Sequence, residues 1–266
     1  MQSVVILKNG WKIGERYAEG YDADDFGTSW SMAKSFYSAG VGAAILEGWI
    51  SSVDQKASSF ITEWIGTNKE DITIRNILEM RSGLAGGAHG GSEIVYTLDQ
   101  TDYAINSELT GTPGETWAYS NPTSQLFAPI IERATGLDAH TYLSQKILMP
   151  IDIDINQVGL WFDPTGQNPM TYCCIDMTAR DFIKFGQLLL DDGIWNSERL
   201  LSSSYVQQIK DLSTYGYKFW HAPSSYVSSA PVPFLSKLIY ANGFDGQYIL
   251  IDFENKILIA RNSLYY

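Results

Sequence analysis

The chain has 266 residues, of which 45% are hydrophobic, and a formal net charge of −12. A chain of this length and composition can bury a sizeable core, and its acidic balance, with a pI near 4.6, argues against a nucleic-acid partner. No apolar run approaches the ~18 residues that a membrane span needs. The first residues lack a signal-peptide pattern. A leader peptide that had already been removed would leave the same start, so the sequence does not predict a cellular compartment.

The N-terminal stretch predicts a β-hairpin followed by a polar loop. Two β-prone runs, residues 3–8 and 11–18, flank Asn9-Gly10, and Asn-Gly between such runs is a strong hairpin signal. The loop from Gly20 to Gly27 then leads into the next element.

The segment from Ser31 to Glu47 predicts a buried helix. It carries no charge between Lys34 and Glu47, and Thr28 or Ser29 is expected to cap its start. Ser31 is the only serine with a lysine three residues later. Residues at that spacing share a helix face, so the Ser31 hydroxyl and the Lys34 amine can meet.

This pair suggests nucleophilic catalysis. A serine hydroxyl is a weak nucleophile until a neighbouring base takes its proton. Burial and the positive end of a helix dipole both disfavour an ammonium, so they favour the neutral amine that a base requires. The alternative interpretation is that Ser31 only caps a core helix and Lys34 extends to solvent.

Residues 52 to about 210 show mostly helical periodicity. We expect helices after Thr73, from Pro122 to Gly136 with a kink at Pro129, over 138–148, and after Thr178. After residue 213 apolar and polar residues again alternate with a period of two, and strands are predicted over 215–220, 246–253 and 256–261.

These elements predict an α+β fold, with an antiparallel sheet built from both termini beside an inserted, mostly helical region. We expect a discontinuous sheet subdomain of residues 1–27 and 211–266, and a helical subdomain of residues 28–210. The cleft between them is the natural place for chemistry.

No metal or cofactor is expected. Cys173 and Cys174 are adjacent, a spacing at which pairing is strained, so both are interpreted as buried small residues. The three histidines, His89, His140 and His221, form no zinc-site spacing. His89 raises a Ser-His-Asp alternative, but the chain has no Gly-x-Ser-x-Gly motif to support it.

Three further stretches accompany Ser31-x-x-Lys34 in order: Tyr119-Ser-Asn121, Thr178-Ala-Arg-Asp-Phe-Ile-Lys-Phe-Gly186 and Ala241-Asn-Gly-Phe-Asp-Gly-Gln247. Together they resemble the penicillin-recognising serine hydrolases, in particular the class C β-lactamase-like esterases and the 6-aminohexanoate-dimer hydrolases. The resemblance extends over nearly the whole chain and includes Ile77–Leu84 and Tyr172–Ile175.

The resemblance implies a role for each matching residue. Ser31 would be the nucleophile and Lys34 its base. Tyr119 would exchange protons with the serine and the leaving group, and Asn121 would orient the lysine or the substrate. The backbone N–H groups of Ser31 and Phe244 would form the oxyanion hole, with Gly243 supporting it.

Two physical expectations follow for this site. A neighbouring Lys34 ammonium would favour the Tyr119 phenolate, which would lower the pKa of Tyr119, and the two groups would titrate as a coupled pair. Aromatic walls from Trp30, Tyr172, Trp220 and Phe244 would favour an apolar substrate.

The chain is therefore predicted to be a serine hydrolase that cleaves small esters or amides through an acyl-enzyme. The alternatives are a β-lactamase or D-peptidase of the same fold, and a catalytically silent scaffold. Ala241 stands where true β-lactamases carry a lysine that holds the drug's carboxylate. Family members also usually carry helices before the first strand and after the last, so a bare sheet face and homo-oligomerisation are expected here.

Overall fold

The computed structural model describes residues 1–86, 91–211, 214–222 and 238–264. Its main feature is an antiparallel sheet with strand order β2-β1-β12-β11-β10-β9-β8, beside a small sheet β3-β5-β4 and a β6-β7 pair. The strands are β1 (Ser3–Lys8), β2 (Trp11–Tyr17), β3 (Phe26–Thr28), β4 (Gly159–Leu160), β5 (Ile175–Thr178), β6 (Ile194–Trp195), β7 (Glu198–Arg199), β8 (Tyr215–Gly216), β9 (Phe219–His221), β10 (Leu238–Gly243), β11 (Gln247–Asp252) and β12 (Ile257–Asn262).

In the sequence, the α-helices lie between strands β1 and β2 at one end of the chain and strands β8 to β12 at the other, and these strands together form the large sheet. The helices are α1 (Ala33–Leu46), α2 (Ile74–Leu78), α3 (Gln100–Asn106), α4 (Asn121–Gln125), α5 (Phe127–Thr135), α6 (Ala139–Leu143), α7 (Ala179–Leu190) and α8 (Ser203–Asp211). The predicted α+β class, with a sheet built from both ends of the chain, is confirmed. The boundaries of the two predicted subdomains stay a prediction. Helix α7 belongs by sequence to the predicted helical subdomain, but it packs against β11 and β12 of the large sheet.

The large sheet has two different faces because side chains alternate along each strand. Its inner face buries Val5, Ile249 and Leu258 against α7. Gly186 of α7 permits this approach, since a Cβ there would lie 3.0 Å from Ile249 Cγ2. The outer face is partly exposed and largely apolar in the described strands, with Val4, Ile6, Tyr248, Leu250, Ile257 and Ile259.

Helix α1 is the central element of the helical part. Every residue from Ala33 to Ala44 is buried, as expected from a stretch with one charge. Gly42 lets α8 pack closely, because a Cβ at Gly42 would lie 2.8 Å from Tyr205 Cε1. The chain enters α1 through a 3₁₀ turn, Trp30–Met32, which places Ser31 at the helix start.

Several local predictions need correction. Neither Ser29 nor Thr28 caps α1 as expected: the cap position of α1 is held by Met32, and Ser29, which precedes the 3₁₀ turn, makes no side-chain cap bond. Its hydroxyl instead accepts the N–H of Ile175 at 2.7 Å and so ties the helix entry to β5. The stretch 215–220 is two strands rather than one, because the chain reverses at Tyr217 and Lys218.

The helix predicted from Pro122 is interrupted at Leu126, which separates α4 from α5. Pro129 has no N–H to continue the ladder, so the expected kink appears as a break a few residues earlier. The helix expected over 138–148 begins as α6 and continues as a π-helical turn, Ser144–Leu148.

Cys173 and Cys174 are buried, as expected. The two side chains lie against each other, with the Cα atoms 3.3 Å apart. His89 lies outside the described residues. Among the described residues, none of the helices is long and apolar enough to cross a membrane.

Candidate active site

Ser31 and Lys34 meet as their spacing predicts. The Lys34 Nζ donates to Ser31 Oγ at 2.8 Å and to the backbone carbonyl of Tyr172 at 2.6 Å. The Tyr172 carbonyl was not expected from the sequence, because a backbone acceptor leaves no side-chain signal. These two bonds fix the amine beside the hydroxyl.

The environment of Lys34 favours its neutral form. The side chain is 1% exposed, and burial lowers the pKa of Lys34 well below its ordinary value of 10.5. The position at the start of α1 acts in the same direction, because the positive end of the helix dipole disfavours an ammonium. A neutral Lys34 can accept the proton of Ser31.

Tyr119 lies over the same amine. Its ring centroid is 5.1 Å from Lys34 Nζ, and burial raises the pKa of Tyr119 to about 12, while its interaction with the Ser31 hydroxyl acts in the opposite direction. The expected lowering is therefore wrong, because burial of the ring disfavours the phenolate more strongly than the Ser31 hydroxyl favours it. Tyr119 is thus a phenol that can donate a proton.

The end of β10 approaches the entry of α1, next to Ser31. A Cβ at Gly243 would lie 2.2 Å from the carbonyl oxygen of Ser29, so only glycine permits this contact between β10 and the helix entry. The next residue, Phe244, packs its ring edge-on to Trp30 with centroids 5.7 Å apart. This brings the Phe244 backbone beside the first turn of α1, whose N–H groups lack helical partners.

The backbone around this contact is unusual on both sides. Trp30 has a φ of 46° and Asp245 a φ of 56°, values that non-glycine residues seldom adopt. Such conformations cluster at functional sites, where the surrounding structure holds them in place. Here they flank Ser31 and Phe244, the two predicted oxyanion donors.

A cavity of about 580 Å³ opens above Ser31. Its described lining holds no charged residue and consists of Trp30, Ser31, Ser92, Val95, Tyr119, Asn121, Trp161, Met170, Tyr172, Cys173, Cys174 and Phe244. Volume and apolar lining are those of a small-molecule pocket. A second cavity of about 570 Å³ beside α3 is lined in part by Asp99, Asp102 and Glu108 and contains neither Ser31 nor Lys34.

The predicted pocket residues divide into two groups. Trp30, Tyr172 and Phe244 line the cavity, but Trp220 does not, because it stacks behind Tyr119 with ring centroids 5.9 Å apart. Trp161 and Met170 were not predicted as wall residues. They belong to a loop whose composition shows no periodicity or motif.

Asn121 begins α4 and also faces this cavity. Its Oδ1 is buried, and among the described residues it has no hydrogen-bond partner. Lys34 bonds to Ser31 and Tyr172 instead. An unsatisfied buried acceptor is costly, so a donor from a bound molecule would be stabilised there.

Comparison with known proteins identifies the family of the chain. The beta-lactamase family model matches residues 2–263, so the chain belongs to the beta-lactamase family. It is 25% identical over 228 residues to the 6-aminohexanoate-dimer hydrolase of Paenarthrobacter ureafaciens, an alignment that covers 77% of this chain and 56% of that relative. The chain thus spans little more than half of that protein's length.

Two solved structures illustrate the shared fold. The octameric penicillin-binding protein homologue from Pyrococcus abyssi superposes on this chain with a TM-score of 0.74 and 20% sequence identity. The match covers 99% of this chain and 70% of the homologue's chain. The D-alanine carboxypeptidase AmpC from Burkholderia cenocepacia superposes with a TM-score of 0.72 and 15% sequence identity. The match covers 99% of this chain and 88% of the carboxypeptidase chain. The resemblance drawn from the motifs is confirmed at the level of family and fold.

The contact between Gly243 and Ser29 generates the first prediction. Gly243→Ala should force β10 away from the helix entry and lower kcat for ester hydrolysis by roughly 10²–10³, the cost of losing one oxyanion donor. The matched control is Gly14→Ala on β2, where a Cβ would meet its nearest atom at an ordinary 3.6 Å. Equal kcat values in the two variants would show that the β10 contact does not position the site.

Proposed function

We propose that this chain is a serine hydrolase that cleaves small, uncharged esters or amides through an acyl-enzyme on Ser31. The observation that carries the proposal is the buried Lys34 amine bonded to Ser31 Oγ at 2.8 Å beneath an apolar cavity. A nucleophile, a desolvated base and a phenolic acid converge at one point, which is the arrangement that acyl transfer requires.

The proposed acylation begins when neutral Lys34 takes the proton of Ser31 as Oγ attacks the substrate carbonyl carbon. The backbone N–H groups of Ser31 and Phe244 stabilise the resulting oxyanion. Tyr119, whose pKa of about 12 keeps it protonated, gives its proton to the leaving alcohol or amine. The Lys34 ammonium then returns a proton to Tyr119, and the acyl-enzyme remains.

Deacylation uses the same groups with water as the nucleophile. Lys34 takes a proton from the water, the tetrahedral intermediate collapses, and the proton passes back to Ser31 Oγ.

The buried Oδ1 of Asn121 accepts an N–H from the substrate, which favours acyl groups that carry an amide near the scissile bond. This assigns Asn121 to the substrate rather than to Lys34.

The cavity also suggests which substrates are disfavoured. Ala241 lies on the inner face of β10 and is fully buried, and no charged residue appears in the described cavity lining. Among these described lining residues, a carboxylate on the substrate therefore has no cationic partner. This supports uncharged esters or amides over β-lactam drugs and D-peptides with a free carboxylate.

The nucleophile is tested by Ser31→Ala. This variant should keep its fold and lose hydrolysis of p-nitrophenyl butyrate, because no other described hydroxyl bonds to Lys34. Kinetics should be paired with circular dichroism to show that the fold is intact. A folded variant that retained most of its activity would contradict the mechanism, and an inactive wild-type protein would support the scaffold alternative.

The base and the acid should act as one unit. Lys34→Met and Tyr119→Phe should each lower kcat by orders of magnitude, and the double variant should be little worse than either single variant. The measurement is a double-mutant cycle on kcat. Losses that multiply independently would show that Tyr119 lies outside the proton relay.

The next prediction concerns how the charge of the substrate affects its rate of hydrolysis. Since the described cavity lining offers no cation for a carboxylate, we expect nitrocefin to lack a charge-assisted contact of ~1.5–3 kcal/mol. That corresponds to roughly 10- to 100-fold in rate if the contact acts in the transition state. We expect kcat/KM for p-nitrophenyl butyrate to exceed that for nitrocefin. The reverse order would favour the β-lactamase alternative.

We also propose that the apolar outer sheet face supports self-association. Its described strands carry partly exposed Ile, Val, Leu and Tyr side chains, and edge-strand Trp11 is 78% exposed. Exposed patches of this kind often mark interfaces, and the homologue from Pyrococcus abyssi is described as octameric. Size-exclusion chromatography with light scattering should show an oligomer, and a monomer at high concentration would contradict this.

A further inference from the structure

Tyr119 lies in a segment that has no regular secondary structure of its own until α4 begins. Residues 116–120 belong to neither a helix nor a strand. The Ala118 N–H donates to the Met80 carbonyl at 2.9 Å, and the Ser120 hydroxyl caps α4. These bonds fix the backbone on both sides of Tyr119, but the direction of its ring depends on the contacts of the side chain.

Two strands of the large sheet supply those contacts. Trp220 of β9 stacks on the Tyr119 ring with the centroids 5.9 Å apart and an interplanar angle of 23°. Tyr215 of β8 meets the same ring edge-on at 6.3 Å. Both geometries are favourable, because aromatic pairs prefer offset-stacked or edge-on rings at centroid separations of about 4.5–7 Å.

The register of the strands fixes Trp220 itself. It lies opposite Tyr215 in the β8–β9 pair and opposite Tyr240 in the β9–β10 pair, and its ring meets the Tyr215 ring edge-on at 4.8 Å. Trp117, two residues before Tyr119, packs edge-on against Trp220 at 6.0 Å and against Tyr215 at 5.7 Å. The four rings form one cluster, with two from the irregular segment and two from the sheet.

Neither substrate binding nor the hydrophobic core explains Trp220. Its side chain is only half-buried and does not belong to the described lining of the substrate cavity. Among the described residues, its ring contacts are with Trp117, Tyr119 and Tyr215. Of these three, Tyr119 is the residue whose ring lies over the Lys34 amine, at 5.1 Å.

The strand next to Trp220 carries the predicted oxyanion donor. β10 pairs with β9 at Tyr240 and Trp220 and ends at Gly243, which lies against the entry of α1. Phe244 follows directly. One part of the sheet thus contacts the predicted acid through β9 and delivers the predicted donor of Phe244 through β10.

We propose that Trp220 is a positioning residue for the reaction, whose stacked ring holds the Tyr119 phenol over the Lys34 amine, where it can give its proton to the leaving group. This inference rests on the proposed function. It adds a contribution of the sheet to the acid step, made by a residue outside the described cavity lining.

The first test compares kcat and KM for p-nitrophenyl butyrate in wild type, Trp220→Ala and Trp220→Phe. Without the stacked ring, Trp220→Ala should lower kcat by roughly 10- to 100-fold, the cost of misplacing a catalytic group by about 1 Å. KM should stay unchanged, because Trp220 does not line the described cavity. Trp220→Phe keeps a ring for stacking and should restore most of kcat.

Two outcomes of this comparison would overturn the proposal. A raised KM at unchanged kcat would make Trp220 a substrate-binding residue instead. A Trp220→Phe variant as slow as Trp220→Ala would show that the stacked ring is not what the reaction needs.

The second test repeats the substitution in Tyr119→Phe, which has no phenolic proton to position. Because Trp220 acts through Tyr119, Trp220→Ala should lower kcat no further in this background. A loss of equal size in both backgrounds would overturn the proposal and leave Trp220 a structural residue.

The matched control is Trp195→Ala. Trp195 of β6 is also a half-buried tryptophan on a short strand, but its indole Nε1 donates to Asp152 Oδ2 at 2.9 Å. It makes no ring contact with Tyr119 in the part of the chain that the structure describes. Its kcat should match that of wild type, and equal losses in Trp195→Ala and Trp220→Ala would contradict a specific role for Trp220.

A third measurement does not depend on activity. Crystal structures of wild type and Trp220→Ala should show the Tyr119 ring over the Lys34 amine in wild type and displaced from it in the variant. A ring that stays in place would overturn the proposal even if kcat falls. A displaced ring in a protein whose wild type lacks esterase activity would uphold the positioning by Trp220 while the proposed function fails.

Discussion

The desolvation of the Lys34 amine is the constraint on which the site depends. An exposed lysine is an ammonium at neutral pH and cannot take a proton, but α1 is buried along nearly its whole length, and burial lowers the pKa of Lys34. Within the described part of the chain, the hydrogen bonds of the amine go to Ser31 Oγ and a backbone carbonyl. A salt-bridging carboxylate would stabilise the ammonium, and among the described residues none is present.

The rest of the fold holds other groups around this amine. The small sheet ties β5 to the entry of α1 through Ser29 and Ile175, which also places the neighbouring Tyr172 carbonyl. The large sheet brings β10 against the same entry at Gly243. The two regions therefore meet at Ser31, so the packing between sheet and helices also sets the geometry of the proposed catalytic site.

The sequence predicted the parts of this arrangement that have local signals. Asn9-Gly10 specifies a tight turn, and Ser31 and Lys34 meet because three residues is nearly one helical turn. The strand predicted over 215–220 was wrong because its period-two pattern continues through the two turn residues. Only the positive φ values of Tyr217 and Lys218 reveal the reversal.

Tertiary contacts explain the remaining differences. The pKa direction of Tyr119 depends on how deeply the ring is buried, which no spacing encodes. The cavity walls from Trp161 and Met170 come from a loop without a motif, and Trp220 lies behind Tyr119 rather than on the cavity surface. The side chain of Lys218 is likewise directed inward by tertiary contacts, since its Nζ donates to the Ile77 carbonyl of α2 and lies 5.3 Å from the Phe127 ring of α5.

The most direct test of an acyl-transfer site at Ser31 is intact-mass spectrometry after incubation with a fluorophosphonate probe. The structure predicts one covalent adduct per wild-type chain and none on Ser31→Ala, with labelling that slows as pH falls and Lys34 becomes protonated. An adduct of equal yield on folded Ser31→Ala, or an unlabelled wild-type protein, would contradict the assignment of Ser31 as the nucleophile.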